Sequence, residues 1–112
     1  MATGPGENFG RKMRAKLIVR RMAEAQLAEA YRWYEKRAPG LGGEFLRAFD
    51  AACAQIERQP AAHPIVFLDY RRKLLRKFPF GVFYVREGGY LVVAAVFHLA
   101  RNPRTIKRQL KP

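Results

Sequence analysis

The apolar positions of this chain change period several times, and each change marks an element. Ala15-Lys16-Leu17-Ile18-Val19-Arg20 has the short apolar character of a first strand. From Ala23 to Ala38 the spacing turns helical: Ala23, Leu27, Ala30, Tyr31 and Tyr34 recur at threes and fours, while Glu24, Glu29, Arg32, Glu35 and Lys36 fill the opposite face. Pro39-Gly40-Leu41-Gly42-Gly43 should stop this helix and turn the chain. A second helix is predicted on Phe45, Phe49, Ala52, Cys53 and Ile56, ended by Pro60, and the short link makes the two an antiparallel hairpin.

Beyond the helices the period shortens. Ala61 to Asp69, interrupted by Pro64, reads as a loop whose Ile65-Val66-Phe67 packs on the sheet. Tyr70 to Lys77 reads as a cation-bearing strand and Phe80 to Arg86 as the next, with Pro79 where no ladder donor is needed. Glu87-Gly88-Gly89 suits a tight hairpin. Tyr90 to Phe97 has no polar alternation, so both of its faces should be covered, as in a central strand. Pro103 to Lys111 fits one short helix opened by its proline. The order β-α-α-β-β-β predicts an α+β fold: a twisted, mainly antiparallel sheet with a helical hairpin on one face and a short C-terminal helix. Residues 1–12, rich in Gly and polar groups, are expected to be a disordered extension, and residues 13–112 a single domain.

Composition narrows the class. A chain of 112 residues, about half of them apolar, is one domain with one core. The longest apolar run, Tyr90 to Phe97, is far short of a bilayer span, and Met1-Ala2-Thr3-Gly4-Pro5-Gly6 lacks a signal-peptide core. A cytosolic protein without membrane attachment is therefore expected. Cys53 is the sole cysteine, which excludes an internal disulfide and a cysteine metal cluster. Among Ala51, Ala52 and Ala54 it reads as a small buried apolar residue; a nucleophilic role would need a base, for which His63 is the near candidate in sequence.

Charge is unevenly distributed. Residues 22–59 hold five basic and six acidic side chains, so with +13 over the whole chain the remainder carries +14. A balanced helical layer beside a cationic sheet attracts nucleic acid or an acidic protein, and the charge does not say which.

No catalytic set declares itself: the sequence has no paired-carboxylate spacing, no glycine-rich phosphate loop and no metal-ligand cluster, and no cofactor or metal is expected. His63 reads as a loop histidine. His98 closes the last strand, where a near-neutral pKa suits proton transfer; residue type alone favours the alternative of a hydrogen-bonding cap at the strand end. Arg71, Arg72, Arg76, Arg86, Arg101 and Arg104 are the candidates for gripping phosphate or carboxylate, because guanidinium makes paired planar bonds to both. Strand alternation sets Arg72 and Arg76 on one side and Arg71 and Lys73 on the other, so these cations cannot all serve one site. Tyr84 and Tyr90 could stack on bases, but tyrosines in adjacent strands usually belong to the core.

Several fragments, in order, resemble the RelE/ParE toxin superfamily. Trp33-Tyr34-Glu35, Pro39-Gly40-Leu41-Gly42 and Glu44-Phe45-Leu46 look like its helical hairpin. Arg71-Arg72, Leu74-Leu75, Arg76-Lys77-Phe78-Pro79-Phe80, Val82-Phe83-Tyr84, Val93 to Val96, and His98 with Arg101-Asn102-Pro103 look like its sheet. The resemblance runs from about Ala15 to Arg104. It implies the toxin half of a bacterial type II toxin–antitoxin module, neutralised in a hetero-oligomer by a cognate antitoxin that wraps an extended, partly helical segment around it. RelE-like members cut messenger RNA on the ribosome; ParE-like members inhibit DNA gyrase. Where RelE-like chains often carry tyrosine-arginine, this one has Phe80-Gly81, and no tyrosine follows His98. Gly81 cannot offer a guanidinium to a phosphate in flight. Phe78-Pro79-Phe80 and His98…Arg101-Asn102-Pro103 look closer to ParE, so a gyrase-inhibiting toxin is the expectation. If the chain is instead a nuclease, His98, Arg101 and Arg76 would carry the chemistry. A non-toxic binding module is the third expectation.

Overall fold

The computed structural model describes residues 16–111, so the expected N-terminal extension lies outside the described residues. The chain runs β1 (Lys16–Val19), α1 (Arg21–Arg37), α2 (Leu41–Arg58), β2 (Ile65–Phe67), β3 (Tyr70–Leu74), β4 (Phe80–Glu87), β5 (Tyr90–His98) and α3 (Pro103–Leu110). The five strands form one sheet in the order β1-β5-β4-β3-β2; β1 runs parallel to β5 and the other pairs are antiparallel. The architecture is α+β, as the periodicity implied.

Three expectations need correction. Ile65–Phe67, expected to be loop, is a short edge strand against Tyr70 and Arg71, because Pro64 at its start needs no ladder donor. The strand expected over Tyr70–Lys77 stops at Leu74: Leu75 and Phe78 both turn into the core, which forces a tight connection and leaves Lys77 at φ +71. The interhelical turn is also shorter than expected. Gly40 alone takes the left-handed conformation, φ +88, and Leu41-Gly42-Gly43 already belongs to α2.

Glu35 fixes that turn, its two carboxylate oxygens accepting from Gly40 N at 2.8 Å and Gly42 N at 2.9 Å. Gly42 allows the helices to close, since a Cβ there would lie 2.8 Å from the Tyr31 carbonyl oxygen. The hairpin packs Phe45, Phe49, Ala52 and Ile56 of α2 and Ala23 and Ala30 of α1 against Val82, Tyr84, Leu91, Val93 and Val96. On the other sheet face Leu110 and Ile106 of α3 meet Tyr70, Phe83 and Phe97. Asn102 opens α3, its side chain accepting from Arg104 N at 2.8 Å, with Pro103 in the first turn. Helices on both sides explain why β5 is buried from Leu91 to Phe97.

One irregularity in β5 sets the direction of its last side chains. Phe83 pairs with Ala95 but Tyr84 pairs with Val93, so Ala94 is an extra residue in the ladder. Leu91 and Val93 face the helical hairpin before it, and Val96 faces the hairpin after it, while Ala95 and Phe97 join the α3 side. Gln26 of α1 accepts from Val96 N at 2.7 Å. Two residues beyond Val96, His98 consequently emerges on the hairpin side.

Candidate binding groove at the end of β5

His98, Val96, Pro79 and Phe80 form one wall of a groove of about 430 Å³, whose other wall is α1, with Gln26, Ala30, Trp33 and Tyr34. Trp33 is 53% exposed, unusual for the chain's one tryptophan. It meets Tyr34 edge to face at 5.0 Å, and the Arg37 guanidinium lies 4.0 Å above its ring. Tyr34 continues inward to Phe45 and Phe78, so the exposed indole is backed by a packed aromatic cluster. The groove therefore presents a rigid apolar floor, with Glu29, His98 and Arg101 at its polar edge.

His98 makes two defined contacts. Its ring lies 5.2 Å from Phe80, edge to face, and its Nδ1 accepts from Ala100 N at 2.9 Å. A neutral imidazole that accepts at Nδ1 carries its hydrogen on Nε2, so in this geometry the free nitrogen is a donor. It can donate a hydrogen bond to an oxyanion; service as a base at Nε2 requires breaking the Ala100 bond. Arg101 sits one turn on, its N donating to His98 O at 3.0 Å and its guanidinium 5.4 Å over Phe97.

The remaining arginines do not converge on this groove. Arg71 is committed to the loop before β2, donating from Nη1 to His63 O at 2.7 Å and Ala61 O at 3.3 Å. With Arg86 it borders a separate depression beside Pro60 and Tyr84. Arg72 points to the α3 face and shares a shallow groove with Arg101 and Lys107, which makes Arg101 the cation common to both faces. Arg76 lies on the α2 side with Arg47, Lys73 and Lys77. This corrects the expectation that it shares a side with Arg72: the strand ends at Leu74, and alternation ends with it. Arg104 is exposed on the first turn of α3.

The other candidate side chains are structural. Tyr84 is buried and donates its hydroxyl to Pro60 O at 2.6 Å, with the His63 ring 6.1 Å away. Burial, then Lys73 and Arg71, hold the His63 pKa below its ordinary value, and its Nε2 is buried with no partner among the described residues. Burial, then Asp50 and Glu57, push the Cys53 thiol up to about 12, which leaves it without nucleophilic character. Among the described residues no three His, Cys, Asp or Glu side chains gather as metal ligands, and no helix is long and apolar enough to cross a membrane. Trp33 and Gln26 line the groove with His98 and were not singled out for a site by sequence reasoning. A lone tryptophan among the polar positions of α1 was a usable signal; Gln26 gave none.

No family model matches the chain. It is similar to Toxin ParE2 of Mycobacterium tuberculosis, in strains CDC 1551 / Oshkosh and H37Rv: 29% identical over 99 residues, spanning 88% of this chain and 94% of that protein. Among solved structures it is similar in fold to a chain of the chromosomal ParDE TA system from P. aeruginosa, with a TM-score of 0.71 and 16% identity, covering 79% of this chain and 99% of that one. The sequence similarity to a ParE toxin extends over almost the whole described domain, and the shared fold agrees with it. In sequence the chain is thus similar to a ParE toxin, and its fold is that of a ParDE chain.

Proposed function

We propose that the protein is neutralised by a cognate antitoxin and, when released in the cytoplasm, arrests growth by inhibiting DNA gyrase. The similarity to Toxin ParE2 across 94% of that protein's length carries this reading. Two features of the chain itself support it over a nuclease. Gly81 brings no guanidinium to the sheet, and Arg76 borders a different groove from His98 and Arg101, so the three side chains that RNA cleavage would need are dispersed. The apolar floor under Trp33 suits a protein partner more than a phosphate chain.

Purified protein added to gyrase and relaxed plasmid should block supercoiling while leaving ribosome-bound message intact. Unimpaired supercoiling together with cleaved message would reverse the assignment. The nuclease reading retains one specific support, that His98 and Arg101 share a groove. On that reading His98→Ala abolishes toxicity; on the gyrase reading the variant stays toxic. Harmless expression without any antitoxin would favour a binding module over both.

A further inference from the structure

After Glu87 the chain carries no carboxylate, and its five later cations, Arg101, Arg104, Lys107, Arg108 and Lys111, all lie in or beside α3. Ile106 and Leu110 seat this helix in the cluster of Tyr70, Phe83 and Phe97. At about 100° per residue, Arg104, Arg108 and Lys111 fall on the opposite side, and all three are exposed. Lys107 flanks them over the Phe67 ring at 5.8 Å, and Arg101 lies over Phe97 at 5.4 Å. None of the five is ion-paired among the described residues, where the ion pair is Arg20–Glu87.

Helix stability does not account for this pattern. Lys107, Arg108 and Lys111 sit toward the C-terminus, where cations suit the helix dipole. Arg104 sits in the first turn, where it opposes the dipole, and no acidic residue stands there to offset it. Arg104 and Arg108, like Lys107 and Lys111, are also like charges four residues apart, which weakens a helix this short. The longer helices α1 and α2 interleave glutamates with their cations; α3 does not. Its repulsion is relieved when anions cover the outer face.

We propose that the outer face of α3 binds the phosphate backbone of duplex DNA, with Arg104, Arg108 and Lys111 on phosphates and Arg101 and Lys107 adding to the field. The inference rests on the gyrase reading in one respect, the choice of duplex DNA over duplex RNA. The stripe from Arg104 to Lys111 is about 10 Å long, and that length of B-DNA axis carries about six phosphates. Single strands are disfavoured because the rings beneath α3 offer no stacking platform: Tyr70, Phe83 and Phe97 are buried, and Lys107 covers Phe67. A protein partner is disfavoured because the stripe carries no apolar side chain to act as a buried anchor. Contacts to phosphate alone read no sequence, so the binding is indifferent to it.

The test is fluorescence anisotropy of the full chain against labelled DNA duplexes of about 20 base pairs in several unrelated sequences, titrated over a range of salt. All should bind within about twofold of one another, with log Kd rising linearly with log salt. Arg104→Gln combined with Arg108→Gln should weaken binding at least about tenfold at about 50 mM salt and make the salt slope shallower by about 2. Arg32→Gln combined with Lys36→Gln removes the same charge from α1 and should change the affinity less than about threefold. All four side chains are exposed, and circular dichroism establishes that both variants fold. Equal losses in the two double variants would overturn the proposal. So would tighter binding to an RNA duplex or to a single strand of the same length, or an acidic peptide of equal charge held as tightly. The two readings fail separately. Unimpaired supercoiling defeats the gyrase mechanism while the duplex titration still decides the face. A chain that blocks supercoiling yet binds no duplex defeats the face alone.

Discussion

Arg72 lies across Gly81. A Cβ on residue 81 would stand 3.0 Å from Arg72 Cδ and 3.1 Å from its Cγ, and the Arg72 Nε beyond them is buried without a partner among the described residues. The contact is diagonal: Arg72 of β3 pairs with Phe83, and Gly81 lies two residues before Phe83 on β4, on the same sheet face. The absence of a side chain on one strand is what lets the aliphatic stem of the other lie flat on the sheet. Gly81 thus removes one guanidinium and makes room for another. Gly81→Arg should cost about 1–3 kcal/mol by overpacking and expel Arg72 from the α3 face. Gly81→Ala, which asks Arg72 for a few tenths of an ångström, should cost less; urea unfolding of the two variants measures the order.

Gln26 should behave as a structural residue, because its Oε1 takes the Val96 N–H beside the extra residue Ala94. Gln26→Leu removes that acceptor from a buried donor and should lower stability by about 1–3 kcal/mol. Gln26→Glu retains an acceptor and should recover most of the loss. Amide exchange at Val96 is the local readout: it should accelerate in the leucine variant and stay slow in the glutamate variant.

His63 should make stability fall on the acid side. Its unfolded pKa is near the ordinary 6.5, and burial beside Lys73 and Arg71 lowers the folded value. Between those two values the unfolded chain holds more protons, so stability is full above about pH 6.5 and declines as the pH drops through that window. His63→Gln should flatten the decline between about pH 6.5 and 5 in a series of denaturation curves, before the carboxylates titrate. An unchanged slope would mean that the loop opens to admit the proton at no cost.

Cys53 should be almost unreactive in the folded protein. With its thiol pushed up to about 12, the thiolate fraction at mildly alkaline pH is minute. Alkylation by iodoacetamide should run about a thousandfold slower than in unfolded chain, on thiolate fraction alone. A folded-state rate near the unfolded one would expose the thiol as an accessible nucleophile and reopen its pairing with a base.

Periodicity by itself determined the α+β class, the helical hairpin, the burial of β5 on both faces and the proline-started final helix. These depend on spacing within one segment, and sequence carries spacing directly. The fragments from Trp33 to Arg101 also pointed to the superfamily, because a family signature is a property of order along the chain. What tertiary structure decided was which side chains meet. Strict alternation from Leu91 would place Phe97 on the hairpin side and His98 opposite; one extra residue at Ala94 reverses both and delivers His98 to the groove with Trp33. The inward turn of Leu75 and Phe78 likewise moved Arg76 from the side of Arg72 to the side of Lys73. A bulge and a turn each shift the period by a residue at a point set by pairing with another strand, and such non-local pairing leaves no mark in the local pattern.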